Sequence, residues 1–152
     1  MNFDNPLIPG VLIKRYKRFF VDIKVENKLI TAHCPNTGSM MGLLNKKNKV
    51  WLSKSNNLKR KLKYTLQIIE VEKSKVGVNT HLTNKIVSHA LQNNTIKYFN
   101  HNLKIRNEQT FGKNTRFDFY LENLKTKIFL EVKNVTLKRE KKLAEFPDSV
   151  TS

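Results

Sequence analysis

Residues 115–135 read T-R-F-D-F-Y-L-E-N-L-K-T-K-I-F-L-E-V-K-N-V, and this stretch constrains the fold more than any other. Two apolar runs, 117–121 and 128–132, flank a polar turn at 122–127, the pattern of an antiparallel hairpin. Three charged residues stand where such strands are usually apolar: Asp118 on the first arm, Glu131 and Lys133 on the second. Residues two apart on a strand project from one face. Glu131 and Lys133 therefore share a face, and Val132 points the other way, into a core. With Asp118 opposite that end, two carboxylates and one ammonium converge.

Such a corner suits metal-assisted phosphodiester cleavage. Two carboxylates hold a hard divalent cation that keeps several waters and binds a phosphate oxygen. The expected ligands are Asp118 and Glu131, with Glu108 as a further carboxylate; the expected cation is Mg2+, with Mn2+ as substitute. Lys133 completes the catalytic set with Asp118 and Glu131. The spacing D-x12-E-x-K resembles the PD-(D/E)xK nuclease signature. A surface hairpin with an ordinary Glu–Lys pair is the competing reading.

The chain has 152 residues and a formal net charge of +17. The excess is +11 over residues 1–80 and +6 over 81–152, so it is not confined to a tail. A basic globular chain implies a polyanionic partner, with nucleic acid, and DNA first, as the expectation. Lys and Asn are also what an AT-rich coding sequence supplies, so charge alone does not settle the partner. A single cysteine, Cys34, excludes an intrachain disulfide and fits a reducing cytosol. No run approaches the roughly 18 apolar residues that cross a bilayer, and the start lacks a secretion signal. The expectation is a soluble cytoplasmic protein without a membrane partner.

Residues 1–80 read as five strands. The first covers 11–25, with Phe19, Val21, Ile23 and Val25 on its buried face. The others are expected at 28–34, at 49–54, at 62–72 with Leu62, Tyr64, Leu66 and Ile68 inward, and at 76–79. Cys34-Pro35-Asn36-Thr37-Gly38 breaks the second. His33-Cys34 lacks the further Cys or His that zinc requires. Five such strands fit a small OB-type barrel, with a β-sandwich as the alternative. An OB barrel binds nucleic acid by stacking bases on rings beside a basic groove. The candidates are Arg15, Tyr16, Lys17, Arg18, Trp51, Lys59, Arg60 and Lys61, with Arg116 from the later hairpin.

Residues 81–152 read as a second domain. Leu82, Ile86, Val87, Ala90 and Leu91 recur at helical spacing over 81–92, with Asn79 or Thr80 as cap. A strand at 103–108 and the hairpin follow. Helix, strand, strand, strand is the order of a restriction-endonuclease-like core. Phe146-Pro147-Asp148-Ser149 looks like the start of a helix. The fold class expected is α+β: an OB-like barrel, then an incomplete restriction-endonuclease-like domain.

Several pieces together resemble the sugar fermentation stimulation protein family: Arg15-Tyr16-Lys17-Arg18-Phe19, His33-Cys34-Pro35-Asn36-Thr37-Gly38, Val78-Asn79-Thr80, Arg116-Phe117-Asp118, Glu131-Val132-Lys133-Asn134-Val135-Thr136-Leu137 and Phe146-Pro147-Asp148-Ser149-Val150-Thr151. The resemblance implies an OB-like N-terminal domain, a PD-(D/E)xK-like C-terminal domain, DNA binding and a role in regulating sugar-utilisation genes. It places Asp118, Glu131 and Lys133 in the nuclease positions and Glu108 more loosely. Family members continue into an Arg-Gly-x-x-His helix and a further apolar strand. That part is absent here, so the second domain is expected to lack one layer and one edge partner.

Overall fold

The computed structural model describes residues 2–99, 102–113, 115–137, 139, 140, 143 and 145. They form two compact units: His81–Lys133, and Asn2–Thr80 together with the segment from Asn134 on. The span 81–152, expected to form one domain, thus contributes its last stretch to the first unit. There the Asn36 side-chain amide donates to Val78 O and to the Thr136 hydroxyl, both at 3.3 Å. The expected helix start at Phe146 lies outside the described residues.

The first unit is a barrel. Its strands are β1 (Ile8–Tyr16), β2 (Phe20–Val25), β3 (Lys28–His33), β4 (Lys49–Lys54), β5 (Tyr64–Val71) and β6 (Ser74–Gly77). Hydrogen bonding follows the order β3-β2-β1-β4-β5-β6, and a parallel pairing of His33 with Thr65 joins β3 to β5. That pairing closes the first five strands into an OB-like barrel and removes the sandwich alternative. Closure satisfies edges that would otherwise present unpaired backbone groups.

The expected first strand of 15 residues is in fact two. Lys17 and Arg18 both take a left-handed backbone, with φ of 45° and 58°, and turn the chain between β1 and β2. Phe19, assigned to the core by its alternation with Val21, is displaced to this tip and is 43% exposed. Alternation holds within β4, where Val50 and Leu52 are fully buried; in β2 Val21 and Ile23 are fully buried, but Asp22 between them is buried as well and accepts from the Tyr16 and Thr31 hydroxyls. Alternation fails in β5. A register irregularity opposite Trp51 and Leu52 shifts the phase, so Leu66 is followed into the core by Ile69 and Val71. Tyr64 and Ile68, expected inward, are only half-buried. Met40 and Leu43 close one end from an irregular loop and are also fully buried. Each such side chain contributes roughly 1.5–3 kcal/mol by leaving water. Gly10 marks the tightest crossing: a Cβ there would lie 2.6 Å from Ile23 Cγ2.

The second unit holds helix α1 (Thr83–Gln92) and strands β7 (Lys104–Phe111), β8 (Thr115–Glu122) and β9 (Lys127–Leu130), paired antiparallel in the order β7-β8-β9. The turn expected at 122–127 is present. Asn123 Oδ1 accepts from the amides of Lys125 and Thr126 at 2.9 Å, as asparagine does in tight turns. The expected cap is not used. Leu82 stands at the N-cap position without a side-chain bond. Asn79 instead donates to Gln67 Oε1 at 2.9 Å and Thr80 to Pro35 O at 2.6 Å. Both serve the barrel. Leu91, Phe119 and Leu121 form the core, with Val87, Ile105, Ile128, Leu130 and Val132 against it. Ile86, expected on the buried stripe, is exposed. Among the described residues no helix is long and apolar enough to cross a membrane.

Candidate functional site

Two places gather the residues that the sequence singled out, one on each unit. On the barrel, cross-strand pairs set out a row. Tyr16 pairs with Phe20, Phe20 with His33, and His33 with Thr65. The Tyr16 and Phe20 rings stack with centroids 5.6 Å apart, and Phe19 stacks on His33 at 6.3 Å. Cationic loops flank the row at both ends. Lys17 and Arg18 project from the β1–β2 tip. Lys59, Arg60 and Lys61 lie in the loop that leads into β5, and Arg60 donates to the Thr65 hydroxyl at 2.8 Å. The strand 2–3 face with these two loops is where OB barrels take oligonucleotides.

Three expected participants are employed otherwise. Arg15 points back into the fold. Its Nη2 donates to Asn36 O at 2.7 Å, its Nη1 to Gly38 O at 2.8 Å and Ser39 O at 3.3 Å, and its Nε to Arg18 O at 2.8 Å. Trp51 pairs with Pro9 and Ile68, outside the aromatic row, and the Lys75 ammonium sits 4.8 Å from its ring. Arg116 is bonded to Glu108. Phe20 and His33 join this row without having been among the candidates, and Phe19, assigned to the core, stacks on His33. The adjacent cations Lys17 and Arg18 carried the signal, since two such residues in a row inside a half-buried strand argue for a turn.

Cys34 does not read as a ligand. It is fully buried, its Sγ lies 3.7 Å from Met40 Sδ, and burial pushes its thiol up from the ordinary value.

In the second unit a cleft of about 410 Å³ opens between α1 and the sheet. Asn84, Lys85, Ser88, His89 and Gln92 line it from the helix, and Asn107, Glu108 and Asp118 from the strands. Asp118 is held at both oxygens: Asn84 Nδ2 donates to Oδ1 and the Val132 amide to Oδ2, each at 2.7 Å. Lys133 Nζ donates to Glu131 Oε1 at 2.6 Å. That bond, together with the charges of Glu131 and Asp118, raises the Lys133 pKa above the usual lysine value against a smaller opposing effect of burial. Lys133 thus feels both carboxylates, bonded to Glu131 and within reach of the Asp118 charge, while neither Glu131 nor Lys133 lines the cleft that Asp118 lines. Glu108 lines the same cleft, but its carboxylate is engaged by Arg116. Its backbone is left-handed, with φ of 54°, as is that of Glu26 and Glu72.

The donor set is oxygen-only and anionic, which suits a hard cation. No group of three or more His, Cys, Asp or Glu converges among the described residues. Two carboxylates fit Mg2+, which keeps several waters and needs few protein ligands.

Comparison with known proteins matches two adjoining spans of the chain. The model described as SfsA N-terminal OB domain matches residues 13–78, and that of the sugar fermentation stimulation protein RE domain matches 81–152. A sugar fermentation stimulation protein homolog of Pelagibacter ubique (strain HTCC1062) is 60% identical over 152 residues, which are 100% of this chain and 66% of that one. A homolog of Crocosphaera subtropica (strain ATCC 51142 / BH68) is 46% identical, over 97% of this chain and 63% of the relative. The chain thus spans just under two thirds of the length of these two relatives. The structure of Pyrococcus furiosus SfsA in complex with Ca2+ superposes with a TM-score of 0.78 at 20% identity, covering 99% of this chain and 63% of that one. With two adjoining family models along its length and relatives of this identity, the chain belongs to the sugar fermentation stimulation protein family.

Proposed function

We propose that the chain binds nucleic acid, DNA in the first place, across the outer face of its barrel. The observation that carries this reading is the row Tyr16, Phe20, His33 and Thr65 with cationic loops at both ends. Rings accept unstacked bases, and Lys17, Arg18, Lys59 and Lys61 neutralise phosphates. Affinity gained in this way falls steeply with salt, because each neutralised phosphate releases counterions. Replacing those four cations by alanine is expected to reduce the slope of log K against log salt by about 3–4. Titration of labelled DNA at rising salt measures it. A slope that the substitutions leave unchanged removes the barrel face from the interaction. A role in regulating sugar-metabolism genes rests on the family alone and follows from DNA binding only if that binding is selective.

A second reading is favoured by the corner of the second unit and by the Ca2+ complex of the Pyrococcus relative. It is metal-dependent phosphodiester cleavage. Asp118 and Glu131 would hold Mg2+ or Mn2+, without Glu108, which is bonded to Arg116. The cation supplies Lewis acidity toward a phosphate oxygen and a more acidic bound water. Lys133 offers charge to the phosphate as negative charge builds. Lys133→Ala is expected to lower cleavage of DNA with Mg2+ or Mn2+ by about 10²–10³-fold. Intact DNA with either metal and the unsubstituted protein would dispose of the enzyme reading and leave DNA binding untouched.

A further inference from the structure

Asp118 differs from Glu108 and Glu131 in what holds it. Glu108 is paired with Arg116 and Glu131 with Lys133, each by a cation. Asp118 is held by two neutral donors, the Asn84 amide and the Val132 backbone amide, each at 2.7 Å. Neutral donors fix the direction of a carboxylate without cancelling its charge. Each oxygen keeps a lone pair for another partner, and rotation of the group is blocked. Among the described residues Asn84 is the one side chain that does this, and it reaches across from the first turn of α1 into the cleft that Asp118 lines.

We infer that Asn84 is a positioning residue for a divalent cation at Asp118: it acts through the carboxylate and does not itself touch the ion. The inference rests on the cation-site reading of the second unit and extends it to the helix. Partners that orient a ligand in this way typically change metal affinity by about 10–100-fold when removed. The Val132 amide cannot replace Asn84, because it holds only Oδ2 and leaves Oδ1 free to swing.

The test is direct Mn2+ binding to the full chain, followed by electron paramagnetic resonance of the free ion. Asn84→Ala is expected to weaken the Mn2+ dissociation constant by about 10-fold or more while the number of sites stays the same. Asn84→Gln, which keeps an amide donor on a longer arm, is expected to recover part of that loss. Melting of each variant separates positioning from folding. An Asn84→Ala protein that melts earlier yet binds Mn2+ with unchanged affinity makes the contact a structural tie and overturns the inference. Asp118→Ala tests the site beneath it. Loss of Mn2+ binding there with no effect of Asn84→Ala defeats only the role of Asn84. Unchanged binding in Asp118→Ala defeats the cation site itself, and the inference with it.

Discussion

Arg15→Met is expected to destabilise the barrel by about 3–5 kcal/mol, a large share of the roughly 5–15 kcal/mol that holds a domain together. Among the described residues no carboxylate pairs with the guanidinium. It donates to four backbone carbonyls, those of Arg18, Asn36, Gly38 and Ser39. The contacts to Asn36 and Gly38 are partly buried, where a carbonyl left without a donor costs about 1–3 kcal/mol. Three of the four carbonyls come from the loop 34–39. Asn36 supports the same loop by accepting from the Gly38 amide at 2.8 Å. Arg15→Lys keeps the charge but loses the planar fork that reaches several oxygens together, so it is expected to fall between the two. The chain has a single tryptophan, and Trp51 lies in the barrel on β4, so denaturant melts followed by its fluorescence report this unit. A midpoint unmoved by Arg15→Met would mean that water replaces the guanidinium at no penalty.

Phe119→Ala is expected to cost the second unit about 3–5 kcal/mol. Phe119 is 2% exposed and is the largest of the three buried core residues there, with Leu91 and Leu121. Truncation leaves a cavity beside Leu91 and Leu121, and so few buried partners cannot collapse to fill it. Hydrogen exchange of the β7, β8 and β9 amides measures the effect, and their protection is expected to fall. Protection at the wild-type level would show that the core lies elsewhere. Helix α1 carries both Leu91 and Asn84, so loosening it also releases Asp118.

How much of this could be read from residue order depended on the distance over which each feature is decided. The hairpin around Asn123 was legible, because an apolar run, a polar turn and a second run are all local. Val132 packs on the core while Lys133 bonds Glu131, as the two-residue period suggested, but the strand expected to carry them ends at Leu130 and all three lie beyond it. The course of β5 was not legible, because a register irregularity changes phase without any glycine or proline to mark it. Phe19 was misplaced because alternation cannot distinguish one long strand from two joined by a tight turn. Arg15 was read as a DNA contact since sequence gives its charge but not the carbonyls that reach it from 21 and 23 residues away. Asn84 gave no signal at all. An asparagine on a helix is ordinary until the fold brings an aspartate 34 positions away within 2.7 Å.

The bond between Asn36 and Thr136 spans 100 positions, and the whole of His81–Lys133 lies inside that span. The smaller unit is therefore an insertion, anchored at both ends to one host. Synthesis must pass through it before the host can be finished, so the barrel's last contacts wait on chain that belongs to a different core. The entropy of closing such a loop grows only with the logarithm of its length, by about 0.6 kcal/mol per doubling. An insert of this kind can lengthen or shorten with little thermodynamic consequence for its host.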